Sequence, residues 1–227
     1  DGYLYRCIIG GVCEPTDTSI SVSLTVNEAP SIISHPPDSS VCAPTGASFG
    51  LSASGASLNY QWQVSTDGGA SWPDLSDGGI YTGTTSDTLN ILSTSSGMDG
   101  NRYRCIVAGS CTPSDTSDEG TLHINKPPSI TEQPLSRIIC EGENTSFEVD
   151  ATGSGLSYQW QISSDGGLNW SDQPDDGMYS GTTSDSMSIT GAYASMDGYM
   201  YRCVIDGGCS SSATSDAASL TVNPLPE

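Results

Sequence analysis

The chain has 227 residues and is strongly acidic, with 27 aspartates and glutamates against 6 lysines and arginines and a formal net charge of −21. A field of this sign repels phosphate groups, which argues against nucleic acid and anionic membrane surfaces as partners. No stretch approaches the roughly 20 apolar residues of a membrane-spanning helix, so we expect no membrane insertion.

An internal repeat organises the chain from its first residues onward. The tripeptide Tyr-Arg-Cys ends at Cys7, at Cys105 and once more 98 residues later. A unit of that length is therefore duplicated. We predict two complete domains, 28–125 (the first repeat) and 126–227 (the second repeat), after a truncated domain in 1–27 that keeps only its C-terminal part, the last two strands of the unit (strands F and G in the lettering used below). Because a lone hairpin is marginally stable, we expect more protein before it, or another chain that completes it.

Short alternating runs predict the strands of each repeat. In the first repeat Phe49 and Leu51 alternate with small residues, Trp62 follows on the next strand, and Leu89 and Ile91 mark a later one. The gaps are filled by Gly, Pro, Ser, Thr and Asp, which favour tight turns. About seven such strands without helical periodicity predict an all-β fold, a two-sheet sandwich with its tryptophan buried.

Proline-containing joints close each unit. The first repeat ends at Asn125 and is followed by Lys126-Pro127-Pro128. Proline cannot continue a central strand and favours a stiff, extended linker. The sequence therefore predicts units arranged end to end as an extended stalk.

The segment before strand F has the pattern Asp-x-x-x-Tyr-x-Cys, from Asp99 through Tyr103 to Cys105. This pattern resembles the tyrosine corner of immunoglobulin domains. The resemblance implies immunoglobulin-like sandwiches in tandem, with the tyrosine hydroxyl bonded back to the backbone at the E–F corner.

The whole repeat is similar to the immunoglobulin-like repeats of long surface proteins, adhesins and filaments of Bacteroidota. The match rests on Val41-Cys42, the turn 65–69, the segment 81–85 and the Tyr-Arg-Cys tripeptide near the end of the repeat. The resemblance implies an extracellular location and a structural or adhesive role as a stalk, with partners among neighbouring repeats of the same or identical chains and a glycan or surface ligand. The alternative is a carbohydrate- or protein-binding accessory module, for which Trp72 and Trp170 would be the platforms.

The segment Ser65-x-Asp67-x-Gly69-x-Ser71-Trp72 resembles the Asp-box of sialidase-like propellers and recurs from Ser163 to Trp170. Turn chemistry explains every residue of it: the carboxylate accepts turn N–H groups and glycine supplies positive φ. No Ser–His–Asp arrangement, phosphate loop or carboxylate-lined cleft accompanies it. We therefore expect no enzyme activity and no cofactor.

Metal binding is also not expected. The acidic residues that could supply oxygen ligands differ in spacing between the repeats and form no calcium loop; they are Asp74, Asp77, Asp172, Asp175 and Asp176. His35 and His123 lack a cysteine or histidine at zinc spacing, so both are predicted on the surface.

The eight cysteines predict an oxidising compartment. Immunoglobulin domains usually carry a disulfide between strands B and F, but here strand B presents Leu51 where a partner for Cys105 would stand. We therefore expect no such disulfide. The cysteines of the three Tyr-Arg-Cys tripeptides, Cys7 included, should instead be buried thiols. A two-residue turn between strands F and G would place Cys111, on strand G, on the opposite face of the sheet from Cys105. Strand G has two neighbours, strand F and the segment that carries Cys42. We predict bridges in two places: Cys42–Cys111 and Cys140–Cys209. A Cys42–Cys105 bridge is the alternative, and Cys13 is expected to have lost its partner.

A last motif concerns covalent modification. Asp87-Thr88-Leu89 and Asp185-Ser186-Met187 resemble the Asp-Ser/Thr-apolar sequon of O-glycosylated, secreted Bacteroidota proteins. Alternation along the strand turns Thr88 to solvent when Leu89 points inward. Thr88 and Ser186 are therefore predicted glycosylation sites.

Overall fold

The computed structural model describes residues 1–226. They form two compact units, one built from 1–39 and 46–123, the other from 40–45 and the chain from Ile124 onward. The cut between 123 and 124 lies two residues from the predicted repeat border. The short segment 40–45, although part of the first repeat in sequence, is grouped with the second unit.

Residues 1–27 form two short antiparallel ladders. Strands β1 (Leu4–Tyr5) and β4 (Val22–Ser23) pair with each other, as do β2 (Ile8–Ile9) and β3 (Asp17–Thr18). Every residue of this segment is exposed, including Cys7. The prediction of a buried thiol at Cys7 is wrong, because within the described chain no second sheet covers these strands.

The first repeat contains ten strands and a one-turn 3-10 helix at Ser96–Met98. The strands are β5 (Ser31–Ser34), β6 (Ser39–Cys42), β7 (Ala47–Gly50), β8 (Ser52–Ser54), β9 (Asn59–Ser65), β10 (Tyr81–Thr82), β11 (Thr88–Ile91), β12 (Arg102–Ala108), β13 (Asp115–Thr116) and β14 (Gly120–Asn125). One sheet has the order β13-β12-β14-β6 with β9 on β12, and the other has the order β10-β11-β7, while β5 pairs with β8.

The second repeat has the same plan and a one-turn 3-10 helix at Ala194–Met196. Its strands are β15 (Ser129–Glu132), β16 (Arg137–Cys140), β17 (Thr145–Glu148), β18 (Asp150–Thr152), β19 (Ser157–Ser163), β20 (Ser171–Asp172), β21 (Tyr179–Ser180), β22 (Ser186–Ile189), β23 (Met200–Asp206), β24 (Ala213–Thr214) and β25 (Ala218–Asn223). One sheet runs β16-β25-β23-β19-β20 with β24 on β23, and the other runs β17-β22-β21.

The core of each repeat lies between its two sheets. On β11, Leu89 and Ile91 are buried while Asn90 is exposed, as the alternating pattern predicts. Trp62 on β9 is fully buried, and its indole N–H donates to the carbonyl of Ser86 at 2.8 Å. Burying a side chain of this size stabilises the fold by roughly 1.5–3 kcal/mol, provided that its polar atom finds a partner. The predicted all-β sandwich with a buried tryptophan is confirmed.

Each repeat contains a pair of tyrosines whose hydroxyl groups meet. The hydroxyl of Tyr103 lies 3.4 Å from that of Tyr81, and the hydroxyl of Tyr201 lies 3.0 Å from that of Tyr179. Burial raises the pKa of both Tyr103 and Tyr201. The resemblance implies a bond from the corner tyrosine to the backbone, and the structure shows that its hydroxyl also meets a second tyrosine, from the Tyr-x-Gly-Thr-Thr segment (81–85 and 179–183).

Candidate functional site

The hairpin that follows β9 is organised by one carboxylate. Asp67 accepts bonds from the Ser65 hydroxyl at 2.7 Å, the Ser71 amide at 2.9 Å and the Ser71 hydroxyl at 2.5 Å. Gly68 and Gly69 have φ of +74° and +99°, which a residue with a Cβ rarely adopts. The geometry is that of a tight turn whose polar groups satisfy one another, as the Asp-box pattern predicts.

These donors stabilise the ionised carboxylate. The side-chain and backbone bonds from Ser71 hold the pKa of Asp67 well below its usual range. In the second repeat the backbone and side-chain bonds from Asn169 lower the pKa of Asp165 to about 2. A carboxylate with so low a pKa is a permanent acceptor, so it can anchor a turn but cannot serve as a proton donor near neutral pH.

Behind the turn, Trp72 packs against an arginine. Its indole N–H donates to the carbonyl of Gly69 at 3.0 Å, and the guanidinium of Arg104 lies 4.1 Å from the ring centroid. Arg104 is fixed from the other side by Gln63, whose side-chain oxygen accepts its Nε–H at 2.8 Å. Gln63 in turn donates to Asp74 at 2.8 Å.

The second repeat reproduces this arrangement. Arg202 lies 4.3 Å from the ring centroid of Trp170 and donates to Gln161 at 2.8 Å. We call these two constellations, Trp72–Arg104–Gln63 and Trp170–Arg202–Gln161, the tryptophan–arginine surface. Both tryptophans are half-buried. The stacked arginines, Arg104 and Arg202, are not among the residues predicted from the sequence. Each stands between a buried tyrosine and a buried cysteine on an alternating strand, and this alternation places it on the outer face of the sheet.

The carboxylates considered for calcium accept bonds from the protein itself. Asp77 accepts both the amide and the hydroxyl of Thr84, at 2.8 and 2.7 Å, and Asp175 accepts the same pair from Thr182. The other three accept side-chain amides or backbone N–H groups: Asp74, Asp172 and Asp176. Across residues 1–226 no group of three or more His, Cys, Asp or Glu is placed to hold a metal ion.

The histidines are exposed. Nδ1 of His35 accepts the backbone N–H of Asp118 at 2.9 Å, so it stabilises a loop rather than a ligand site. His123 lies on β14 with its side chain exposed. The prediction that both histidines are on the surface is confirmed.

The predicted glycosylation sites occupy equivalent strand positions. Thr88 begins β11 and Ser186 begins β22, and both are half-buried beside fully buried apolar neighbours, Leu89 and Met187. The hydroxyl of Thr88 donates to the Asp87 carboxylate at 3.1 Å. Modification at these positions stays a prediction.

One disulfide bond is present in the described residues, between Cys42 and Cys209, with a Cα–Cα distance of 5.8 Å. Both cysteines lie in the second compact unit, which includes residues 40–45. Cys111 and Cys140 are free thiols. The bond therefore replaces both of the pairings predicted from the sequence, Cys42–Cys111 and Cys140–Cys209.

The direction of the strands explains the difference. In the second repeat β16 is indeed the neighbour of β25, but the two run parallel, with Cys140 in register with Asn223 at the far end. Cys209 precedes β24, which starts at Ala213. Along β23, Ala213 is in register with Ile205 and Ala218 is in register with Tyr201, four residues away, and β25 continues for five more residues from Ala218 to Asn223. Ala213 and Asn223 are therefore roughly 30 Å apart. A disulfide needs Cα atoms within about 7 Å, so a bridge within one repeat cannot form.

The cysteines of strand F, which is β12 in the first repeat and β23 in the second, lie in the core. Cys105 and Cys203 are fully buried, in register with Trp62 and Trp160 on the neighbouring strand. Burial raises the pKa of the Cys105 thiol to about 11 and that of Cys203 to about 12. They behave as small apolar side chains, which confirms the prediction for these two and leaves the alternative Cys42–Cys105 bridge unformed.

No helix in the described part of the chain is long and apolar enough to span a bilayer. A family model described as a domain of unknown function (DUF8696) matches residues 133–224. No curated protein matches the chain.

Solved structures of tandem domains are similar to this chain in fold. An I-band fragment of titin, I67–I69, superposes with a TM-score of 0.65 at 19% identity over 87% of this chain. Immunoglobulin domains 1–4 of Sidekick-1 superpose with a TM-score of 0.58 at 20% identity over 98% of this chain. Extracellular domains 3–5 of Drosophila OTK give 0.54 at 16% identity over 98% of it. The chain covers 66%, 59% and 71% of those three chains respectively. Identities this low establish the fold alone, and the fold is that of tandem immunoglobulin-like β-sandwiches.

Proposed function

We propose that the chain is a structural or adhesive tandem repeat of an extracellular bacterial surface protein or filament, and that it acts as a stalk. The observation that carries the proposal is the disulfide from Cys42 to Cys209, which joins one sequence repeat covalently to the next. A bond of that kind strengthens a series of repeats and has no evident use in catalysis. Immunoglobulin-like domains are typical of extracellular adhesion and stalk repeats.

Composition supports an extracellular setting. Disulfides persist in oxidising environments and are rare in reducing ones, and a net charge of −21 keeps a surface protein soluble. Neighbouring repeats of the same or identical chains are the proposed partners. Sugars on Thr88 and Ser186 would shield the strand surface of such a stalk.

A second function, a carbohydrate- or protein-binding module, is favoured by one observation. The tryptophan–arginine surface occurs in both repeats with ring-to-guanidinium distances of 4.1 and 4.3 Å. Half-buried aromatic rings flanked by arginine are common in binding surfaces. However, each guanidinium already covers a face of its ring, and that contact stabilises the hairpin without any ligand.

An in-frame deletion in the full-length protein on its own cells distinguishes the two functions. Removing residues 126–223 takes out one period and keeps the order of the remaining strands. A stalk should stay surface-exposed and adhesive but present its distal end closer to the cell. The matched control is the double substitution Trp72→Ala and Trp170→Ala, which should leave adhesion unchanged. Loss of adhesion in that control, with the protein still displayed, would favour the binding module instead.

A further inference from the structure

The bonded cysteines have counterparts that are not bonded. We call Cys42 and Cys140, at the ends of β6 and β16, the strand cysteines, and we call Cys13, Cys111 and Cys209, after strand F, the turn cysteines. The disulfide joins the strand cysteine of the first repeat to the turn cysteine of the second. Cys140 and Cys111 are the remaining members of each kind in the complete repeats, and both are free.

The free turn cysteine has the same surroundings as the bonded one. Sγ of Cys209 lies 3.5 Å from the carbonyl oxygen of Asn125, and Sγ of Cys111 lies 3.4 Å from that of Asn27. Asn27 and Asn125 are equivalent residues one period apart, each at the end of a repeat. Cys111 is therefore held at the N-terminal end of its own repeat, in the position from which Cys209 makes its bond.

The free strand cysteine is equally well placed. A turn follows each strand cysteine, with the amide of Thr45 donating to the carbonyl of Cys42 at 2.8 Å and the amide of Glu143 donating to that of Cys140 at 3.1 Å. Cys140 is exposed at the C-terminal end of its repeat. The turn cysteine of its own repeat cannot reach it, since the two lie roughly 30 Å apart along the strands.

We propose that Cys111 and Cys140 each form a disulfide equivalent to Cys42–Cys209, with the complementary cysteine of a further repeat of this kind. Cys140 bonds to the turn cysteine of a following repeat, and Cys111 bonds to the strand cysteine of a preceding one. Every joint between consecutive repeats then carries one disulfide. This inference rests on the repeat and the observed bond and holds whether the chain serves as a stalk or as a binding module.

Formation of each bond requires an oxidant, which is a disulfide compound such as oxidised glutathione or an oxidoreductase disulfide. The thiolate of one cysteine attacks that disulfide and releases the first thiol; the thiolate of the second cysteine attacks the mixed disulfide and releases the second thiol. Two protein thiols are oxidised to one disulfide, and one oxidant disulfide is reduced to two thiols. Exposure of Cys140 permits the first attack.

The test is a chain lengthened by one repeat. Residues 1–226 continued directly by a second copy of residues 129–227 preserve the 98-residue period. After refolding in a glutathione redox buffer, non-reducing digestion and mass spectrometry should identify the Cys42–Cys209 bond and, in addition, a bond from the inner Cys140 to Cys209 of the added copy. The lengthened chain should thus contain one disulfide more than the original chain.

The matched control replaces only the inner Cys140 by serine (C140S). The added copy's Cys209 should then be alkylated by iodoacetamide, while the Cys42–Cys209 bond stays intact and reports that the chain is folded. The proposal is overturned if the inner Cys140 remains alkylatable beside an intact Cys42–Cys209 bond, if it bonds within its own repeat, or if a folded chain lacks the Cys42–Cys209 bond as well.

A reciprocal chain tests Cys111. Residues 28–125 placed directly before residues 28–227 supply a preceding strand cysteine at the correct period. The expected product is a bond from the added copy's Cys42 to Cys111 of the original repeat that follows it. The added copy's own Cys111 has no preceding repeat and is replaced by serine, so that the only Cys111 left is that of the original repeat. If this thiol stays alkylatable, the rule is refuted at that joint.

Discussion

Arg104 lies over the ring of Trp72, 4.1 Å from its centroid, and is held there by a bond from its Nε–H to the side chain of Gln63. The contact joins β12 to the hairpin after β9. A guanidinium that is both stacked and hydrogen-bonded loses little further freedom when it makes the second contact. The pair should therefore contribute measurably to the stability of the first repeat.

A double-mutant cycle with Trp72→Ala and Arg104→Ala measures that contribution. We expect a coupling free energy of about 0.5–1 kcal/mol, the usual size of a partly exposed cation–π pair, from urea unfolding curves of the four chains. The equivalent cycle at Trp170 and Arg202 should give a similar value, because the distances agree. Strictly additive effects in both cycles would show that the rings and guanidinium groups do not interact.

The hairpin carboxylate predicts a specific loss of stability in acid. The pKa of Asp165 is about 2 in the folded chain, below the ordinary value of about 3.9. Its stabilising effect is complete above the ordinary value and is lost as the pH falls through about 2. Asp165→Asn should lower the thermal midpoint at pH 7, because an amide group would face the Asn169 donor, and this deficit should shrink between about pH 4 and pH 2.

The control for this experiment is Asp206→Asn, at an exposed position at the end of β23. It should leave the thermal midpoint close to that of the parent chain at pH 7. A deficit of Asp165→Asn that stays constant down to pH 2 would mean that the carboxylate does not act through its charge.

The paired tyrosines allow a comparison between the two repeats. In Tyr201→Phe the buried hydroxyl of Tyr179 loses the partner 3.0 Å away, which should cost about 1–2 kcal/mol of unfolding free energy. In Tyr103→Phe the cost should be smaller, because the hydroxyls are 3.4 Å apart and Tyr81 is half-buried, so water can replace the partner. Urea unfolding of both variants tests the order; the reverse order would contradict it.

Gly83 of the Tyr-x-Gly-Thr-Thr segment should not tolerate a side chain. Its φ is +76°, and a Cβ there would overlap the carbonyl oxygen of Thr88. Gly79 also has a positive φ, +60°, but its Cβ would meet no atom within 4 Å. Gly79→Ala should cost about 1–2 kcal/mol for the backbone conformation alone, and Gly83→Ala should cost clearly more in the same thermal unfolding assay. Equal losses would rule out the close approach to Thr88.

Local chemistry made much of this architecture predictable. The alternation at Leu89 and Ile91 gives the buried face of a strand, and the spacing of Ser65, Asp67 and Trp72 gives a turn whose donors and acceptors are all close in sequence. The period of 98 residues then transfers each conclusion to the second repeat. Such features depend on contacts within one hairpin, so a single sequence contains them.

The disulfide pairing depends on information of another kind. Knowing that the Cys42 segment lies beside strand G does not say whether the two strands run parallel, and the direction decides which end of the repeat Cys42 occupies. Its partner, Cys209, is 167 residues away in the chain. The bridges predicted from the sequence lie within one repeat, whereas the observed bond joins two repeats. The tyrosine pair of Tyr81 and Tyr103 was missed for a similar reason, since two separate motifs meet only in the folded core.

Glycosylation should favour Thr88 over Ser186. The residue in register with Thr88 on the neighbouring strand is Gly50, which leaves open space beside the hydroxyl, whereas Ser186 is in register with Glu148. A sugar is bulky and needs an accessible acceptor, and a glutamate side chain beside Ser186 restricts that access. In natively secreted protein we expect intact-mass and peptide analysis to find sugar on Thr88 at higher occupancy than on Ser186. Thr88→Ala should remove the larger share of the added mass, and Gly50→Glu should lower the occupancy of Thr88 toward that of Ser186. A secreted chain with the mass of the bare polypeptide, or with sugar attached elsewhere, would refute the assignment.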